Sequence, residues 1–125
     1  MIRTIRWFLG FEAAAFVLAA LVHFGFLLHG YEHSKAPIAE SIIGGVLFVG
    51  FVATFIRPQW ACTIARGAQL FGLIGTCVGL FTIAVGIGPR TGPDLFFHAG
   101  ILTALIAGLI LTRRLGKRPR PRMPQ

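Results

Sequence analysis

The sequence predicts an all-α membrane protein, an up-down-up-down bundle of four transmembrane helices, and three observations carry that expectation. Four apolar runs, at approximately residues 5–28, 38–56, 61–87 and 95–111, are each long enough to cross a bilayer. A helix needs about 20 predominantly apolar residues to traverse a hydrocarbon core of about 30 Å. The runs lack the alternation of barrel strands, and in lipid every backbone N–H and C=O must be satisfied internally, which leaves helices. The connections are short, so successive helices should lie antiparallel. Composition agrees: 55% apolar and 13% charged residues, with a mean hydropathy of +0.77, do not describe a water-soluble domain. Residues 1–112 are expected to form one transmembrane domain, with no room for a separate soluble catalytic unit.

The first run is too long and too smoothly apolar for a signal-peptide core, so it is expected to be a mature helix. Gly30 is placed to end it, and Pro37 falls in the first turn of the second. The segment Arg57-Pro58-Gln59-Trp60 makes the next turn, with Trp60 an interfacial anchor like Trp7. Before the fourth run, Thr91 and Asp94 stand three residues apart, the spacing of a capping-box-like pair at the positive end of a helix dipole.

Charge sets the topology. Arg3, Arg6, Arg57, Arg66, Arg113, Arg114, Lys117, Arg118, Arg120 and Arg122 lie at one side of the runs, and only Lys35 and Arg90 at the other. The positive-inside rule then puts both termini in the cytoplasm, with residues 113–125 forming a disordered basic arm near anionic headgroups. The net charge of +8 is thereby read as topology and lipid contact, not nucleic-acid binding. The bilayer is the expected partner, with a membrane-protein partner or a homo-oligomer as further options.

The third run carries the clearest packing signal. Ala61, Ala65, Ala68, Gly72, Gly75, Gly79, Thr82 and Gly86 recur at steps of four and three, a seam of small residues against which another helix packs closely. Ala104 and Gly108 form a looser pair of this type in the fourth run, and Ser41, Gly44 and Gly45 in the second. Packing within one chain is the first reading of these motifs, and a dimer interface the second. Cys62 and Cys77, 15 residues apart on one helix, cannot pair and are expected to be small apolar filler.

Ionisable residues inside a membrane are functional candidates by default. His23, Glu40 and His98 come from three different runs, at expected depths of roughly 10, 5 and 8 Å below the extracytoplasmic ends. Thr82 falls at the same level, and His29, Glu32, His33 and Asp94 crowd the rim. Asp94 and His98 are four apart, so the carboxylate is placed to orient the imidazole. Two imidazoles and a carboxylate suit a divalent metal, and the two imidazoles from facing helices suit a haem iron. Hydrogen bonds of the two rings to each other, to a backbone carbonyl or to Thr82 form the structural alternative, and a proton or ligand pathway is a third. Glu12 lies eleven residues before His23 on the same stripe, either as a proton site or as a salt-bridge partner of Arg3, Arg6 or Arg66. No positioned nucleophile, phosphate loop or zinc-protease motif occurs, so no enzyme is expected.

Glu12, within Leu9-Gly10-Phe11-Glu12, resembles the first-helix glutamate of the small multidrug-resistance transporters. That resemblance implies proton and cation binding in an antiparallel dimer, which the ten-to-two charge bias opposes. Ala39-Glu40-Ser41-Ile42-Ile43-Gly44, together with Gly86 through Asp94 and His98, is more similar to small bacterial four-helix integral membrane proteins grouped loosely with DoxX-like proteins. This resemblance spans nearly the whole chain and implies a bacterial inner membrane without a catalytic activity. The sequence therefore points to a non-enzymatic accessory or binding protein with a small polar site facing the periplasm.

Overall fold

In a computed structural model, which describes residues 1–117, the chain is a four-helix bundle. The helices are α1 (Ile2–His23), α2 (Ala36–Ile56), α3 (Ala61–Ala84) and α4 (Gly92–Gly116), with one 3-10 turn at Pro58–Trp60 before α3. All four are long and apolar enough to cross a membrane. Their outward faces carry Trp7, Phe11, Ile56, Phe81 and Phe96, each more than half exposed, a surface that calls for lipid rather than water. Side-chain partners fix the chain direction. His23 at the end of α1 meets Glu40 at the start of α2, and Arg6 at the start of α1 meets Thr54 at the end of α2. Gly116 at the end of α4 lies against Cys62 at the start of α3. Neighbouring helices in these pairs are thus antiparallel.

The core is a column of Ile5, Leu9, Ala13 and Phe16 from α1, Ile43 and Leu47 from α2, Ala65 and Ala68 from α3, and Ile101 and Leu105 from α4. The small residues of α3 pack inside this single chain. A methyl group on Gly72 would stand 3.1 Å from Leu105, one on Gly75 2.9 Å from Ile43 Cγ1, and one on Gly79 3.2 Å from His98 Nε2. Gly44 lies equally close to Phe16. Ser41 and Gly45, grouped with Gly44 in the sequence, face outward instead. Gly86 also leaves the seam: it has φ +86 in the turn after α3, where it faces the Arg90 guanidinium. Both cysteines are free, Cys62 half-buried and Cys77 exposed on the outer face.

Two boundaries differ from the apolar runs. Helix α1 ends at His23, five residues before the run does, because Gly25 at φ +79 turns the backbone beneath Glu32. Residues 24–35 fold back on the bundle, and the His33 N–H donates to the His23 carbonyl at 3.0 Å. The depth assigned to His23 from Gly30 is therefore corrected: it sits in the last turn of its helix. At the other end α4 continues through Arg113 and Arg114 to Gly116, where cations complement the helix dipole. The rest of the expected basic arm, residues 118–125, lies outside the described residues.

The capping box at α4 forms as the spacing implied. Thr91 Oγ1 accepts from the Asp94 N–H, and Asp94 accepts from the Thr91 N–H. Thr91→Ala should lower stability by about 1 kcal/mol, the usual cost of a lost N-cap, in equilibrium unfolding from detergent micelles. Helix α2 has a different cap, unread in the sequence: His33 Nδ1 accepts from the N–H groups of Lys35 and Ala36 at 3.2 and 3.1 Å.

Candidate functional site

Three of the four acidic residues of the chain are buried in the bundle: Glu12, Glu40 and Asp94. Two of them close on His23. Its Nδ1 lies 2.8 Å from Glu40 Oε2 and its Nε2 2.9 Å from Asp94 Oδ1, and all three residues are buried. The elements that bring them together are the last turn of α1, the second turn of α2 and the first turn of α4. Asp94 serves twice, since its other oxygen closes the capping box with Thr91. Both bonds require protons: an imidazolium between two carboxylates, or a neutral ring with one protonated carboxyl.

His98 takes a different role from the one its spacing suggested. Its Nδ1 lies 2.7 Å from the Asp94 backbone carbonyl, one turn earlier in α4, and the Asp94 carboxylate turns away to His23. A carbonyl only accepts, so Nδ1 carries the proton, and in the neutral ring Nε2 keeps its lone pair. That nitrogen faces Gly79 of α3, which is close enough to it only because it lacks a side chain. The wall of an adjoining cavity of about 170 Å³ includes His98, Glu40, Thr82 and Gly79, with His33 and Lys35 from the connecting segment. Among the described residues, Glu40 Oε1 has no hydrogen-bond partner. Thr82 Oγ1 donates to the Gly79 carbonyl at 2.7 Å, which leaves its lone pairs free rather than binding either imidazole.

The triad expected to hold a metal, His23, Glu40 and His98, is thus reorganised around His23, with Asp94 as its third member. Both His23 nitrogens face carboxylates, so the ring offers no lone pair to a haem iron without breaking one of these bonds. Among the described residues, no group of three His, Cys, Asp or Glu side chains is arranged to hold a metal ion. At the rim, Glu32 accepts from the Gly30 N–H at 2.8 Å, with His29 3.4 Å away. Backbone N–H groups at Glu32 and Gly30 hold its carboxyl below the usual range.

Glu12 shares the buried stripe of α1 with His23, as eleven residues of separation implied. Its expected arginine partner is replaced. Gln69 Nε2 donates to both its carboxylate oxygens at 3.1 and 3.2 Å, and Gln69 Oε1 accepts from Thr112 Oγ1 at 3.2 Å. All three side chains are essentially inaccessible. Arg6 instead donates to Thr54, through Nε to Oγ1 and through Nη2 to the carbonyl. Gln69 and Thr112 escaped sequence reading because uncharged polar residues inside an apolar run carry no mark of their own. Their spacing of 43 positions gives no hint of contact. The same is true of Gln69 and Glu12, 57 positions apart.

Comparisons with family models, curated proteins and solved structures found no match to this chain.

Proposed function

We propose that this chain is a non-enzymatic accessory or binding protein of a bacterial inner membrane, with cytoplasmic termini and a small polar site facing the periplasm. The four candidate spans and the ten-to-two division of basic residues support that placement. The observation that carries the binding role is the acceptor pair formed by Glu40 Oε1 and His98 Nε2. The side chains that carry them belong to different helices, line one cavity, and are each held through their other polar atom, Glu40 Oε2 by His23 and His98 Nδ1 by the Asp94 carbonyl. Acceptors held in this way suit a small cation or hydrogen-bond donor, with Thr82 as a further acceptor and His23 and Asp94 as supports.

Calorimetric titration of the detergent-purified protein with Zn²⁺ and, separately, with ammonium tests this role. At least one of the two should bind saturably, and His98→Ala and Glu40→Gln should each weaken that binding by about tenfold or more, the lower end for a disturbed ligand set. Binding that saturates for neither probe, or that both variants preserve, overturns the proposal.

A second reading rests on Glu12, a buried carboxylate bonded to an amide and, among the described residues, without a cationic partner. Such a group suits a proton-coupled transporter. Proton release on substrate addition, lost in Glu12→Gln, would favour it, and unchanged release would remove it. A purely structural subunit packed through α3 remains the outcome if the ligand site and Glu12 both tolerate substitution.

A further inference from the structure

A groove of about 570 Å³ runs along the outer side of α1 and α2 at the arginine-rich end of the bundle. Its mouth carries Arg3 and Arg6, its walls include Trp7, Phe51 and Phe55, and it runs as far as Ala14. No acidic residue lines it. We propose that this groove binds one anionic phospholipid, with the phosphate between Arg3 and Arg6 and an acyl chain laid along the aromatic wall.

The two ends of the groove match the two ends of such a molecule. Arg6 is fixed in place: it donates to Thr54 through Nε and Nη2, and its guanidinium carbon lies 3.8 Å from the centre of the Phe55 ring. These contacts leave Nη1 with no partner among the described residues. Arg3, one turn earlier on the helix, is exposed and also makes no hydrogen bond among the described residues. A phosphate between them therefore meets two cations, one of them preorganised. From Arg3 to Ala14 the helix rises about 16 Å, close to half of a hydrocarbon core of about 30 Å. The groove thus spans one leaflet, from headgroup level to mid-membrane. Gly10 keeps it open, because a methyl group there would reach the Phe51 ring at 3.4 Å. Trp7, exposed and one helical turn from Arg3, is the residue type that anchors at a membrane interface. This site lies at the opposite end of the bundle from the Glu40–His98 cavity and does not depend on what that cavity binds.

The test is native mass spectrometry and titration of the intact protein in nanodiscs of phosphatidylcholine doped with phosphatidylglycerol. Phosphatidylglycerol should be retained in preference to phosphatidylcholine. Arg3→Gln should weaken that preference about fivefold, the factor that corresponds to one basic residue at an anionic surface. Ala14→Trp, which adds bulk on the exposed side without touching the core, should displace the lipid although the charge is unchanged. Lys35→Gln removes one charge at the other end and should leave binding intact. Equal retention of both lipids overturns the proposal. So does a loss with Lys35→Gln as large as with Arg3→Gln, which would mean diffuse attraction, or an unaltered affinity in Ala14→Trp, which would mean a headgroup held without a seated chain.

Discussion

Removing the His23 imidazole should destabilise the bundle by about 3–5 kcal/mol, the range measured when one member of a buried ionic pair is deleted. His23→Ala leaves the buried Glu40 and Asp94 facing a vacated site, each having lost its shared partner, and no other cation is bonded to them among the described residues. The deleted ring also leaves a void between three helices, which adds to the loss. Equilibrium unfolding from mixed micelles measures the effect. Glu40→Gln and Asp94→Asn, introduced together into the His23→Ala chain, should recover a large part of it, because uncharged amides need no counter-charge. If His23→Ala alone were as stable as the parent, the three groups would not be coupled. The same substitution should also loosen the cavity wall, since Glu40 loses the bond that aims its second oxygen.

Gly108→Ala, a change of one methyl group, should cost about 1–3 kcal/mol, the usual penalty for overfilling a packed core. The new carbon would stand 2.6 Å from Glu12 Oε1 and 3.0 Å from Phe8, and closer still to the Gln69 amide. Nothing there is a free, flexible end. Glu12, Gln69 and Thr112 form one hydrogen-bonded chain across α1, α3 and α4, and moving any member strains the other contacts. The contrast is Gly67→Ala on the outer face of α3, whose added methyl meets no atom of the described residues within 4 Å. That variant should unfold at or slightly above the parent midpoint, because glycine is a weaker helix former than alanine. Equal effects at Gly67 and Gly108 would show that helix propensity, not the buried network, sets the outcome.

Residue order alone sets the class of fold and the number of helices, because the need to satisfy backbone hydrogen bonds in lipid turns each long apolar run into a helix. It also placed His23 and Glu12 on one buried stripe and marked the capping box at Thr91 and Asp94, since periodicity and spacing within a single helix are local properties. The apolar run could not reveal where α1 ends. Phe24, Phe26, Leu27 and Leu28 are as hydrophobic as the helix before them, and the break comes from Gly25 turning under Glu32, a contact made by the returning segment. Which carboxylate meets which imidazole was likewise undecided. Depth along a helix follows from residue number, but the direction in which a side chain converges depends on how separate helices are rotated against one another. That rotation gave Asp94 to His23, left His98 to a backbone carbonyl, and paired Glu12 with Gln69 instead of an arginine. The packing of α2, α3 and α4 around α1 decided these partners, because the side chains concerned are up to 71 positions apart and share nothing in the sequence that links them.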